Sequence, residues 1–283
     1  MKIGKYDLHK IETGTFGLDG GAMFGIIPKP LWSKFISFDE QNRIQLGLRC
    51  LLLKSPSKNI LIDTGIGTNW DEKFEEIYQI YYNGNTLQKS LNNYGLKPSD
   101  ITDVVLTHLH FDHTGGSVKY ENGKWMPFFQ NAKYYVQNRH FEWAVNPTER
   151  DRGSFIQNRF MPLFDEGVLN LVNGDMQFDD EIEFIVVNGH TFSQQLVKIQ
   201  DSSNTLLYCG DLFPTKYHIP TQYIMGYDLQ PLITVQEKKK ILNLAVQQDW
   251  KLFFEHDPKV SMSTVINSAK GYTVNNVFTE MPG

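Results

Sequence analysis

The sequence predicts an α/β protein, on three observations. Short apolar runs rich in β-branched residues end at clusters of Gly, Asn, Asp and Ser. Segments with apolar residues at three- and four-residue spacing lie among them. Histidine and aspartate recur where the apolar runs end. The 283 residues, 41% hydrophobic and 13% aromatic, are enough to bury a sizeable core.

Taken in order, Tyr6 to Glu12 alternates as a strand. Arg43 to Lys54 is an apolar run ending at the turn cluster Ser55-Pro56-Ser57, which leads into Asn59 to Asp63, so the pair predicts a β-hairpin. Residues 20 to 35, with Pro28, Pro30, several glycines and large apolar side chains in no regular period, predict a long structured loop. The spacing of Phe74, Ile77, Tyr78, Tyr81, Leu87, Leu91 and Tyr94 predicts helical packing from about 70 to 94, stopped by Gly95 and Pro98. Ile101 to Thr107 and Ala132 to Val136 read as strands, and the polar-aromatic stretch at about 138 to 162 as a helical insertion. Glu183 to Val187, Leu196 to Gln200 and Thr205 to Cys209 predict three more strands, the last two joined by a turn over Asp201 to Asn204. Val235 to Trp250 reads as a helix through Leu242, Ala245 and Val246, and Leu252 to Phe254 starts a final strand. No repeat, low-complexity tract or linker is visible, so residues 1–283 are expected to form a single domain.

Composition excludes several functions. Lys+Arg 27 against Asp+Glu 32 gives 27 − 32 = −5, which offers no electrostatic footprint for a nucleic acid. Two cysteines, Cys50 and Cys209, rule out a disulfide scaffold or a thiolate zinc cluster and read as reduced core residues. There is no signal-peptide-like apolar stretch at the N-terminus and no apolar run near twenty residues, so the expectation is a soluble, cytoplasmic protein without a membrane partner.

The most informative stretch is residues 107 to 116, THLHFDHTGG. At this chain's own residue frequencies the pattern H-x-H-x-D-H would arise by chance in about 4 of 10,000 such chains. A lone histidine is more often a hydrogen-bonded core residue than a ligand, but four imidazole and carboxylate groups in six residues do not fit that reading. On an extended segment His108 and His110 point the same way, while Asp112 and His113 follow where the chain turns over glycines. Neutral imidazole and carboxylate suit Zn, Fe or Mn, and an imidazole-rich set without thiolate favours zinc first. Further candidates stand where apolar strands run into His or Asp: His190 after Val186 and Val187, Asp211 after Tyr208 and Cys209, and His256 after Phe253 and Phe254. Asp63, in Leu61-Ile62-Asp63-Thr64-Gly65, reads as a carboxylate that orients a ligand histidine.

H-x-H-x-D-H, then Gly189-His190, Gly210-Asp211 and a late His256, preceded by Ile62-Asp63-Thr64-Gly65, resembles the metallo-β-lactamase superfamily over essentially the whole chain. The resemblance implies a four-layer αβ/βα sandwich of two mixed β-sheets flanked by helices, with two divalent ions at one edge, zinc before Mn, Co or Fe. By the same implication His108, His110 and His190 hold the first ion, Asp112, His113 and His256 the second, and Asp211 bridges them. Hydroxide between the ions would attack the substrate, with Asp112 as the catalytic acid for the leaving oxygen.

Within the superfamily, Asp211 in place of a thiolate disfavours β-lactam hydrolysis, the intact histidines disfavour the diiron branch, and the acidic balance disfavours tRNA processing. The stretch GGAMFGIIPKPLWSK at 20 to 34, with Gly210 to Thr215 and Met225 to Asp228, is similar to the branch of quorum-quenching N-acyl-homoserine lactonases and methyl parathion hydrolase-like enzymes. That implies a lactonase acting on a small ester or lactone. The alternatives are an organophosphate or aryl-ester hydrolase with incidental lactonase activity, and a non-catalytic metal-binding protein. The loop at about 20 to 38 reads either as a lid, with Met23, Phe24 and Trp32 on substrate, or as the contact of a homodimer. Two departures from the family are plain. Gln194 stands where a second histidine often follows the Gly-His ligand. Pro214 stands where the lactonases carry a substrate-contacting tyrosine, which leaves that role to Tyr217, His218 or Tyr223.

Overall fold

Successive side chains of a strand leave opposite faces of its sheet, and here both faces are apolar. In the computed structural model, which describes residues 1–282, the first half of the chain forms β1 (Lys2–Ile3), β2 (Tyr6–Asp19), β3 (Arg43–Lys54), β4 (Asn59–Ile62) and β5 (Asp103–Val105). A two-stranded ladder of β6 (Val118–Glu121) and β7 (Lys124–Pro127) follows, then β8 (Lys133–Gln137) and β9 (Leu169–Val172). The second half supplies β10 (Met176–Gln177), β11 (Ile182–Val187), β12 (Gln194–Gln200), β13 (Thr205–Tyr208), β14 (Lys251–Phe253), β15 (Met262–Ser268) and β16 (Gly271–Phe278). They assemble into two mixed seven-stranded sheets, ordered β1-β2-β3-β4-β5-β8-β9 and β10 through β16 in sequence order.

Leu51 and Leu53 of β3, Ile60 and Ile62 of β4 and Val105 of β5 meet Phe184, Val197, Leu206 and Phe253 of the other sheet. The alternate residues Cys50, Leu52, Leu61 and Val104 face outward. They are covered by α4 (Leu87–Asn92), α6 (Asn138–Val145) and α7 (Met161–Asp165), which follow α1 (Gly20–Phe24), α2 (Lys29–Trp32), α3 (Glu72–Ile77) and α5 (Phe111–Thr114) in the chain. The outer face of the second sheet, including Cys209, lies under α8 (Pro231–Gln247) through Ile241, Leu242 and Ala245. Helix, sheet, sheet and helix make the four layers expected from the sequence.

Several elements differ from their sequence reading, each for a local reason. The helical stretch expected from 70 to 94 is two six-residue helices. Between them Thr15 and Tyr81 exchange backbone hydrogen bonds of 2.8 Å, and Gln79 and Asn83 take positive φ, so β2 claims the backbone that a helix would need. Residues 20 to 35 hold two short helices rather than only loop; Asp19 caps α1 by accepting from the Ala22 N–H at 2.7 Å. The strand begun at Leu252 is not the last. β15 and β16 follow as an antiparallel pair whose polar sequence (Met262-Ser263-Thr264 onward) carries little apolar signal.

Arg159, buried, ties the 138 to 162 region to the loop before α3. Its guanidinium lies 3.6 Å from the Trp70 ring centroid and 4.2 Å from that of Trp125, and donates to the carbonyls of Thr68 (2.8 Å) and Asn69 (2.9 Å). Arg159→Ala leaves two carbonyls without partners and an empty slot between two indoles, so a loss of about 2–4 kcal/mol is expected, measured as a lower urea midpoint. Arg159→Lys is expected to recover only part, because an ammonium lacks the planar fork.

Candidate metal centre

The centre forms where strands end. β4 and β5 are parallel neighbours; Asp63 follows the first and the THLHFDH segment the second. In the other sheet β11, β13 and β14 run in one direction, and His190, Asp211 and His256 follow them at the same edge. Glycines permit the close approach. A Cβ on Gly116 would stand 2.2 Å from the Thr64 carbonyl oxygen, and Gly210 combines a φ of +45° with a wall formed by the Gln194 side chain.

All seven ligands expected from the sequence converge, in two buried groups: His108, His110, His190 and Asp211, and Asp112, His113 and His256. In the first, His108 Nε2 lies 3.0 Å and His190 Nε2 3.2 Å from His110 Nδ1, while Asp211 Oδ2 is 3.2 Å from His190 Nε2 and 4.0 Å from His108 Nε2. In the second, His113 Nε2 and His256 Nε2 are 3.1 Å apart, and Asp112 Oδ2 is 3.7 Å from the former and 3.5 Å from the latter. The other Asp211 oxygen, Oδ1, faces this second group at 3.6 Å from His113 Nε2 and 3.2 Å from His256 Nε2. It is buried with no hydrogen-bond partner.

This donor set fits a pair of divalent cations. Ligand atoms around a tetrahedral zinc at ordinary bond lengths stand about 3.3 Å apart, and the separations here bracket that value. Burial and neighbouring imidazoles hold His108 and His110 well below the usual histidine range, so protons do not satisfy the converging nitrogens there. At His113 and His256 burial is outweighed by the surrounding carboxylates, which push His113 well above the ordinary value and His256 up to about 9.

The far nitrogens of four of the five rings are held, which fixes the tautomer that aims a lone pair inward. His108 Nδ1 meets Thr107 Oγ1 at 3.0 Å, and that hydroxyl donates to Asp63 at 2.7 Å. His113 Nδ1 lies between Asp63 Oδ2 (3.1 Å) and Glu255 Oε2 (2.9 Å), His190 Nδ1 faces Asp228 Oδ1 at 2.9 Å, and His256 Nδ1 faces the Gly47 carbonyl at 2.9 Å. His110 is the exception: it turns Nδ1 inward and leaves Nε2 without a partner. Asp63 thus sits where the sequence reading put an orienting carboxylate. Gln194 is buried beside Gly210, but neither of its amide atoms has a partner. Asp228 and Glu255 were missed as orienting groups; both lie inside noticed segments, yet no spacing rule marks them.

His140 and His218 have structural tasks. His140 Nε2 accepts from the Leu109 N–H at 2.8 Å and Nδ1 meets the Phe192 carbonyl at 2.8 Å, so one ring joins the His108 loop to the His190 loop. His218 is bound to Thr215 Oγ1 (2.8 Å) and to the Met23 carbonyl (2.9 Å), and stacks on Phe24.

Above the two groups opens a pocket whose walls include Leu18, Met23, Tyr78, Met225 and Tyr227, with Asp112 and Asp211 on its floor. Of the expected substrate contacts only Met23 lines it. Phe24, Trp32 and His218 are buried behind it, and Tyr217 and Tyr223 pack around Phe35, because aromatic surface in this segment is better covered by its own neighbours than left facing the pocket.

Two outcomes are expected. Asp211→Ala should lower bound metal at both positions, whereas His256→Ala should spare the first; elemental analysis after dialysis against a weak chelator measures this. Burial holds His140 down to about 4 and His218 down to about 3, against 6.5 for a free histidine. The unfolded chain therefore binds more protons in the interval below pH 6.5, and stability falls as the pH drops through it, by up to about 1.4 kcal/mol per pH unit for each imidazole. Denaturant titrations across pH 4 to 7 should show this slope, shallower in His218→Gln.

The Metallo-beta-lactamase superfamily model matches residues 47–256. An N-acyl homoserine lactonase of Bacillus cereus is 23% identical over 227 residues, covering 76% of this chain and 83% of its own. A probable metal-dependent hydrolase from Staphylococcus aureus superposes with a TM-score of 0.89 at 28% identity, over 100% of this chain and 99% of that one. AidC, a dizinc quorum-quenching lactonase, gives a TM-score of 0.81 at 21% identity, over 100% and 97%. With its strand-end histidines and aspartates gathered as they are, the chain belongs to the metallo-beta-lactamase superfamily and is one of its hydrolases.

Proposed function

We propose that this hydrolase opens lactone rings, foremost those of N-acyl-homoserine lactones, and so quenches quorum signals, using two divalent ions with zinc as the native metal. The observation that carries the reading is the Asp211 carboxylate, which turns one oxygen to each ligand group at the floor of a largely apolar pocket. The lactonase relatives support it.

When bound, two such ions would polarise the ester carbonyl and lower the pKa of water enough for attack near neutral pH. His108, His110 and His190 would hold the first, and Asp112, His113 and His256 the second. Asp112 lies on the pocket floor, where its carboxylate would take the proton that the attacking water gives up and hand it to the departing alkoxide. Tyr78 and Tyr227 line the same pocket, and neither hydroxyl is hydrogen-bonded to a described residue. Burial raises the pKa of both, and the Asp112 charge adds to this, so each phenol stays a donor at working pH. With Pro214 in the place of the family's tyrosine, Tyr227 is assigned the hydrogen bond to the substrate carbonyl. Leu18, Met23, Met225 and Leu229 would receive the acyl chain. Residues 1–283 act as one domain, with the 20 to 38 segment closing one side as a lid.

A panel of N-acyl-homoserine lactones of rising chain length, a phosphotriester and an aryl ester, run on zinc-, manganese- and cobalt-loaded protein, tests this. Lactones should give the highest kcat/KM, rising with chain length, and Tyr227→Phe should lower lactone kcat/KM about 10- to 100-fold with metal content intact. A preference for the phosphotriester or aryl ester would make lactone opening incidental. Bound metal without turnover of any substrate would reject the enzymatic reading.

A further inference from the structure

The wall of the pocket carries a single lysine or arginine among the described residues, Arg150, on the segment between α6 and α7. Its Nη2 donates to the Gly226 carbonyl at 2.6 Å, so the guanidinium spans from the insertion to the segment that holds Tyr227 and Asp228. No carboxylate of the described residues pairs with it within 4.0 Å. The adjacent acid, Asp151, is buried and already committed: Oδ1 accepts from the Thr148 N–H (2.9 Å) and Oγ1 (2.7 Å), and Oδ2 from Trp143 Nε1 (2.7 Å). One N–H of Arg150 is therefore used to aim the group, and the rest of the fork has no counter-charge.

The segment that carries Arg150 is not loose. Ser154, on the same wall, accepts from the Phe111 N–H through its carbonyl at 2.9 Å, which fixes the insertion to the residue before Asp112. The Ser154 hydroxyl makes no hydrogen bond to a described residue. Arg150 is exposed, and an unpaired arginine on an open surface would be unremarked. Here it stands beside Met225, Tyr227 and Leu229 on the wall of the pocket, in a protein of net charge −5.

We infer that Arg150, with Ser154 beside it, is a specificity-determining residue that selects substrates bearing a carboxylate on the acyl portion, away from the scissile ester. A planar guanidinium held by one edge presents the other as a two-pronged donor, the geometry that a carboxylate matches. This rests on the reading of the site as an ester- or lactone-opening pocket.

The test uses pairs of acyl-homoserine lactones of equal chain length, one ending in methyl and the other in carboxylate, with the matched pair of aryl esters alongside, on the metal-loaded enzyme. The carboxylate-ended member should be favoured about tenfold in kcat/KM, carried by KM, and the advantage should shrink with added salt. Arg150→Met should bring the ratio of the two members to about one, and Arg150→Lys should keep part of the preference. A wild-type preference for the methyl-ended member, no preference, or an equal loss on both members in Arg150→Met would overturn the inference; the last outcome would mean that the residue only holds Gly226. If neither lactone is opened but the carboxylate-ended aryl ester is preferred through Arg150, the lactonase reading fails and this one stands.

Discussion

A carboxylate buried between two sets of imidazoles organises this molecule. Asp211 turns one oxygen toward His108 and His190 and the other toward His113 and His256. Such a group is costly inside a protein unless positive charge is held on both sides of it. The backbone is built to place it: Gly210 takes a left-handed conformation, Cys209 is buried beneath α8, and the strand that delivers the carboxylate runs parallel to the one that delivers His256.

The two sheets depend on each other through this edge. Arg49, on the first sheet, donates through Nη1 to the carbonyls of Phe254 (2.8 Å), Asp257 (3.1 Å) and Val260 (3.2 Å), while its Nε meets Glu12 at 2.8 Å. The Gly47 carbonyl takes the far nitrogen of His256. His256, from the second sheet, is thus aimed by a backbone carbonyl of the first, and Arg49 of the first holds the backbone on either side of it. His140 does the same work between the His108 and His190 loops, and the Asp63–Thr107 pair aims His108 and His113 together. Buried polar groups paired in this way hold the imidazoles they touch in one arrangement.

The pocket above the centre is less local in origin. Aromatic residues of the 20 to 38 segment stack among themselves, Phe24 on Trp32 at 5.5 Å and Phe35 on Tyr217 at 4.7 Å, and so make the support behind Met23. The walls that a substrate would meet come instead from four places far apart in sequence: Leu18, Tyr78, the Arg150 to Ser154 segment and the Met225 to Leu229 segment. The apolar composition of the 20 to 38 segment left a lid and a dimer contact both open, because apolar character alone does not say whether a ring faces a ligand or its own neighbours.

The order of strand-end histidines and aspartates carried the resemblance to the superfamily, and that resemblance implied the four-layer sandwich and named the seven residues that converge; each of them stands in a short local setting, a strand of period two, a turn, then an imidazole or carboxylate. Only tertiary structure decided which groups aim those side chains, since Asp228, Glu255 and the Gly47 carbonyl reach His190, His113 and His256 through the fold rather than through any spacing along the chain. It also decided that the helical stretch expected at 70 to 94 gives way to a bridge with β2, where backbone hydrogen bonding outcompetes local periodicity. And it placed Tyr78, Tyr227 and Arg150 at one mouth, because a pocket is a meeting of distant loops and leaves no spacing in the sequence to read.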